Sequence, residues 1–141
     1  MVRLNFSINF KKEMKNKEYP KKIGLGEYDG DSGVDGEILG CKFYGILAGH
    51  GTSRRWYFDE IWFYVECEKI DDAIQTARAI EKVLADKGLQ FYVSYYELEI
   101  KLPVTLPVNI LTRDGSHGYE IIGDNLFIRY EKLEDFEAIK K

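Results

Sequence analysis

An α+β fold is predicted: a mainly antiparallel sheet of about five to seven strands, one long amphipathic helix packed on one face, and a short C-terminal helix. Three patterns predict it. "VRLNFSINF" at 2–10 alternates apolar and polar residues with period two, the signature of a half-buried strand. "WYFDEIWFYVECE" at 56–68 is a second strand, rich in aromatic and β-branched residues. Between the longest strands, Ile70, Ala73, Ile74, Ala77, Ile80 and Leu84 form one stripe at helical spacing. The Asp71–Asp72 pair and Gly88 bound a helix over about 71–87.

The remaining elements follow in order. Residues 11–37 offer little to bury: "KKEMKNKEYPKK" carries six Lys, and "EYDGDSGVDGE" then sets five carboxylates among glycines. This segment reads as a long polar loop. A strand is expected at 38–48, weakened by Gly40 and Gly45, and paired as a hairpin with 56–68 across "GHGTSRR". On 56–68, the alternation groups Trp56, Phe58, Trp62 and Tyr64 on one face, and Ile61, Phe63, Val65 and Cys67 on the other. In "LQFYVSYYELEIKL" the apolar parity switches near Tyr95 to Glu97, as a bulge would make it. "YEII" and "LFIRYE" flank "GDN", a turn suited to positive φ, and Leu133, Phe136 and Ile139 mark the short C-terminal helix. At 141 residues, with no repeat and no linker, the chain 1–141 is expected to be a single domain.

The totals set bounds on function. A net charge of −4 argues against broad nucleic-acid binding, which needs a basic field to displace counterions. Glu60, Glu66, Glu97 and Glu99 also interrupt any aromatic platform for bases. No run approaches the roughly twenty apolar residues of a membrane-spanning helix. "MVRLNFSINFKK" lacks the apolar centre of a signal peptide, so a cytoplasmic protein is expected. Fourteen Lys and fourteen Glu against two Gln lean towards a thermophilic composition. Cys41 and Cys67 sit in apolar runs without CxxC spacing and are expected as reduced, buried thiols.

Few residues carry recognisable chemistry. As a calcium loop, "DGDSGVDGE" fails in both registers. From Asp29 it puts Gly33 at a ligand position and Val34 at the turn glycine; from Asp31 it puts Lys42 at the bidentate Glu. "GLGEYDG" lacks the Lys-Ser/Thr of a phosphate loop. No metal site and no cofactor are expected. "GHGTSRRW" is the sharper candidate: the His50 imidazole can serve as acid or base, Thr52 and Ser53 hydrogen-bond, and Arg54 and Arg55 can grip an anion. The other histidine, His117, lies in a similar glycine-bearing turn.

Two functions follow as expectations. The first is a binding domain that forms a homo-oligomer through Trp56, Phe58, Trp62 and Tyr64, with a protein partner or a small anionic ligand at Thr52, Ser53, Arg54 and Arg55. The alternative is a metal-independent hydrolase or ribonuclease, with His50 and His117 as base and acid and Arg54 and Arg55 assisting.

Overall fold

The computed structural model describes residues 1–52, 55–101 and 118–139. Among these residues nine strands form one antiparallel sheet, in the order β2-β3-β4-β5-β1-β7-β9-β8, with β6 also paired to β1. The strands are β1 (Val2–Lys15), β2 (Glu27–Tyr28), β3 (Gly33–Ile38), β4 (Cys41–Thr52), β5 (Arg55–Cys67), β6 (Phe91–Tyr92), β7 (Tyr96–Lys101), β8 (Gly118–Ile122) and β9 (Asn125–Tyr130). Two helices are present among the described residues, α1 (Tyr19–Lys22) and α2 (Ile70–Asp86). The α+β class holds, with more strands than the five to seven expected.

The expected stripe on α2 packs as predicted. Ala73, Ile74, Ala77, Ile80 and Leu84 are fully buried against Leu4, Ile8, Ile61, Phe63 and Val65 of the central strands β1 and β5. The small alanines let the helix axis lie close to the sheet. The C-terminal segment, expected as a short helix, is a 3-10 turn over Leu133–Ala138. In that geometry residues three apart eclipse, which is why Leu133, Phe136 and Ile139 are all buried together.

Four expectations are corrected. Residues 11–37 are not a loop. β1 runs on to Lys15, then come a 3-10 turn at Asn16–Glu18, α1, β2 and β3. Met14, Tyr19, Ile23, Leu25 and Val34 anchor this stretch in the core, and the Tyr19 hydroxyl donates to the Leu25 carbonyl at 2.7 Å. The acidic stretch is the β2–β3 hairpin. One Asp29 carboxylate oxygen accepts from the amides of Asp31 (2.7 Å) and Gly33 (3.1 Å), an Asx turn that uses the acid structurally.

The strand expected at 38–48 contains a turn instead. Leu39 and Gly40 both take positive φ and join β3 to β4 as a two-residue hairpin. Glycine in β3 serves close packing: a Cβ at Gly36 would run into the Phe43 ring.

Third, β5 has a bulge. Opposite β4, Ala48 pairs with Glu60 but Gly49 pairs with Phe58, so Asp59 is an extra residue. The bulge reverses facing along β5. Phe58 is fully buried and Trp56 packs on its edge at 6.4 Å, whereas Trp62 and Tyr64 turn to the other face. The four aromatics expected to share one face are therefore split.

Fourth, Cys41 and Cys67 form a disulfide, with a Cα–Cα separation of 5.0 Å, rather than two free thiols. They begin β4 and end β5, one step beyond the Lys42–Glu66 pair of the ladder. The expected parity switch near Tyr95 is present, but as a break between β6 and β7 rather than a bulge within one strand; β8–β9 is the expected hairpin, turning at Gly123 with φ 60°.

Where α2 crosses β7, the Tyr96 hydroxyl donates to the Glu81 carboxylate at 2.8 Å. Burial raises the Glu81 carboxyl above its ordinary range; the Tyr96 bond and Arg78 oppose this, and Glu134 adds to it. A raised folded-state value favours the neutral acid. The associated stability is present below the unfolded value of 4.5 and is lost as pH rises through the folded value. Glu81→Gln, which still accepts from Tyr96, should raise the melting temperature at pH 7 by about 1–3 °C. At pH 4 the same change should do little, as thermal scans at the two pH values would show.

Candidate functional site

The helices and both 3-10 turns all lie on one side of the sheet. On the other side no helix covers the central strands among the described residues. The ladder registers define what that open face presents.

Tyr44 of β4 lies opposite Tyr64 of β5, and Ile46 lies opposite Trp62. These four make a ridge. Tyr44, Ile46 and Trp62 are 40%, 43% and 44% exposed, large values for apolar side chains grouped on one surface. The Trp62 indole N–H donates to Glu60, which fixes the ring beside that carboxylate.

Next to the ridge runs β1, whose outward residues are short. Asn5 stands opposite Tyr64, Ser7 opposite Trp62 and Asn9 opposite Glu60. Beyond β1, the break between β6 and β7 lifts Ser94 and Tyr95 into a second wall. Small side chains between large ones leave a trough of about 490 Å³ along β1. Its floor is polar. The Asn5 Oδ1 is buried and has no hydrogen-bond partner among the described residues, an energetic cost unless something donates to it. Asn9 is held by the carbonyls of Ser7 (3.3 Å) and Tyr92 (3.4 Å).

A charged row borders the ridge and the trough. Glu37, Lys42, Glu66, Arg3 and Glu99 follow one another across β3, β4, β5, β1 and β7. Arg3 bonds Glu66 at 2.9 Å and reaches Glu99 at 4.0 Å. At the trough's far wall Arg129 bonds Glu97 at 2.7 Å, and its guanidinium lies 5.6 Å from the Tyr95 ring centre.

The polar loop candidates lie elsewhere. His50 and Thr52 are exposed at the distal end of the β4–β5 hairpin, where His50 pairs with Tyr57 and Thr52 with Arg55. His50 Nδ1 is 3.1 Å from the Glu13 carboxylate, and its ring lies over Tyr57. An exposed pair of this kind contributes little to stability. Ser53, Arg54 and His117 lie outside the described residues, so the expected pairing of His50 with His117 is not placed by the structure. Among the described residues, no group of three or more His, Cys, Asp or Glu is set to hold a metal.

Of the predicted interface, Trp62 and Tyr64 come together on the open face, whereas Phe58 is buried in the core and Trp56 packs against it. The trough residues Asn5, Ser7, Asn9 and Tyr95 were not anticipated as a site. Their sequence signal was the run of short polar residues alternating along β1. No family model matches this chain, and no curated protein matches it. No helix among the described residues is long and apolar enough to cross a membrane.

Proposed function

We propose that this is a binding domain that self-associates by placing the open sheet faces of two copies together. The observation that supports this most is the pairing of a ridge with a trough on one face. Related by a two-fold axis, each ridge can seat in the other copy's trough, the self-complementary arrangement that a symmetric dimer requires. Tyr44 and Tyr64 bring hydroxyl donors, and the Asn5 Oδ1 is the acceptor that lacks one.

Size and charge support the same reading. Five strands about 4.8 Å apart, and about seven residues at 3.4 Å rise, span roughly 24 by 24 Å, or about 600 Å² in projection. That approaches the roughly 800 Å² per partner of stable complexes once side-chain relief is added. The bordering row alternates in sign, so two copies offset by one strand would set opposite charges against each other.

A cytoplasmic location fits this reading, and the disulfide does not oppose it. The bridge is buried, with Cys41 and Cys67 at 3% and 4% exposure, so reductants reach it only when the fold opens. Lys- and Glu-rich intracellular proteins of hyperthermophiles retain such bridges.

Sedimentation equilibrium tests the proposal. Trp62→Ser should weaken the dimer by about 30-fold or more, as expected for a central aromatic anchor worth about 2 kcal/mol. Leu39→Ser, which removes an even more exposed apolar residue at the β3–β4 turn, should change nothing. Equal effects of the two substitutions would refute the role of the face.

A further inference from the structure

We propose that a second pocket, on the helix side of the sheet, binds a small organic anion that joins an apolar body to a charged head group. This pocket stays open whether or not the opposite face is covered, so the proposal does not depend on self-association.

The pocket arises from a mismatch between strands. Along β1 and β5 the register jumps from Asn9–Glu60 to Met14–Phe58, so the four residues Phe10–Glu13 stand against the single Asp59. On the other edge β1 stays attached: Phe10 pairs with Phe91, and the Lys11 amide donates to the Gln90 carbonyl at 3.1 Å. The surplus chain bows out beside α1 and the C-terminal end of α2 and leaves a cavity of about 600 Å³.

Its lining has two parts. Phe10, Met14 and Leu89 make an apolar floor. Lys12 of β1, Lys21 and Lys22 of α1, and Lys87 just after α2 stand around the rim and are all exposed. Four ammonium groups converge here from three elements, in a chain whose net charge is −4. Of these four, Lys22 is paired with Glu18 at 2.7 Å, and the Glu13 carboxylate, which also lines the cavity, lies 3.1 Å from His50. Lys87 also complements the C-terminal dipole of α2. Lys12, Lys21 and Lys87 have no ion pair among the described residues.

The chemistry of the rim sets the ligand class. Lysines are mobile point charges without the planar fork of arginine, so they select for negative charge rather than for one anion's shape. Carboxylates, sulfonates and phosphate monoesters all qualify as head groups. The floor adds the need for an apolar body, because the atoms of Phe10, Met14 and Leu89 that face the cavity offer a ligand no polar partner there.

Two dyes that share an aromatic body test this. Anilinonaphthalene sulfonate carries the anion; N-phenylnaphthylamine does not. The protein should bind the sulfonate about tenfold or more tightly than the neutral dye by fluorescence titration. The Lys12→Gln/Lys21→Gln/Lys87→Gln variant should lose that preference and keep its circular dichroism spectrum and its neutral-dye affinity. Replacing the same three lysines with arginine should retain the preference. Laurate should displace the sulfonate, and inorganic phosphate should not. Equal binding of the two dyes, or unchanged sulfonate affinity in the glutamine variant, overturns the proposal. So does displacement by phosphate as strong as that by laurate. Loss of sulfonate binding in Trp62→Ser alone would place the dye on the open face and also overturn it.

Discussion

Phe63→Ala is expected to lower the free energy of unfolding of the single copy, measured at dilution where no dimer forms, by about 3–5 kcal/mol, whereas Trp62→Ala, one residue earlier, should leave it nearly unchanged. The two side chains project from opposite faces of β5. Phe63 is fully buried beneath α2, stacked on Phe6 at 5.6 Å and edge-on to Phe43 at 6.0 Å. The backbone of Gly45 lies across from it on β4, and a Cβ there would come within 3.1 Å of the Phe63 ring. Closely packed neighbours of this kind cannot collapse far into the space a lost ring leaves, so the cavity cost adds to the transfer cost. A domain of this size has only about 5–15 kcal/mol in total, so the Phe63 variant should approach the edge of folding. Urea unfolding followed by circular dichroism would measure both variants. A loss below about 1 kcal/mol for Phe63→Ala is incompatible with the packing described.

Reduction of the Cys41–Cys67 bridge is the second large effect. The cysteines are 26 residues apart, and closing a loop of that length restricts the unfolded chain by about 3–4 kcal/mol in the chain-entropy account. With an unfolding entropy near 2.1 cal/mol/K per residue, that corresponds to a fall of roughly 10 °C in melting temperature. The fall should appear when the protein is unfolded in reductant and refolded reduced. Brief exposure of the native state should have little effect, because the bridge is buried. The Cys41→Ala/Cys67→Ala variant should melt at the lower temperature and ignore reductant. A wild type whose melting temperature does not move after full reduction would show that the bridge contributes nothing.

What could be read from the residues depended on how local the determinant was. β1, the β8–β9 hairpin and α2 follow from period-two, turn and period-3.6 patterns within a single segment, and the ends of α2 differ from expectation by one residue. Residues 11–37 misled because their anchors are sparse. Met14, Tyr19, Ile23, Leu25 and Val34 sit in short irregular elements that share no period, among lysines and glycines that signal solvent. The bulge at Asp59 was hidden because aromatic residues occupy both parities of β5; the alternation alone could not show where facing reverses.

The disulfide depends on the register of the β4–β5 hairpin, which sequence does not state directly. A signal was nevertheless present: Cys41 and Cys67 each lie thirteen residues from position 54, inside the expected connection "GHGTSRR". The open face was legible in part. Trp62 and Tyr64 stood out as exposed aromatics, but the trough depends on β1 lying between β5 and β7. That neighbour relation joins segments more than forty residues apart and leaves no local trace. The lysine pocket was half visible, in the six lysines of "KKEMKNKEYPKK". Its apolar floor came from the bow in β1, which only the pairing reveals.

In the proposed dimer, Trp62 passes from half-exposed in one copy to buried between two. The most direct measurement is a dilution series on the Trp56→Phe variant, in which Trp62 is the sole indole, recording emission maximum and scattering mass together. The expected result is a blue-shifted emission and a mass twice the 16.4 kDa chain at high concentration, both reverting in step on dilution. A mass that stays at one chain up to about millimolar concentration, a regime where even weak complexes form, with an unchanged emission maximum, would contradict it.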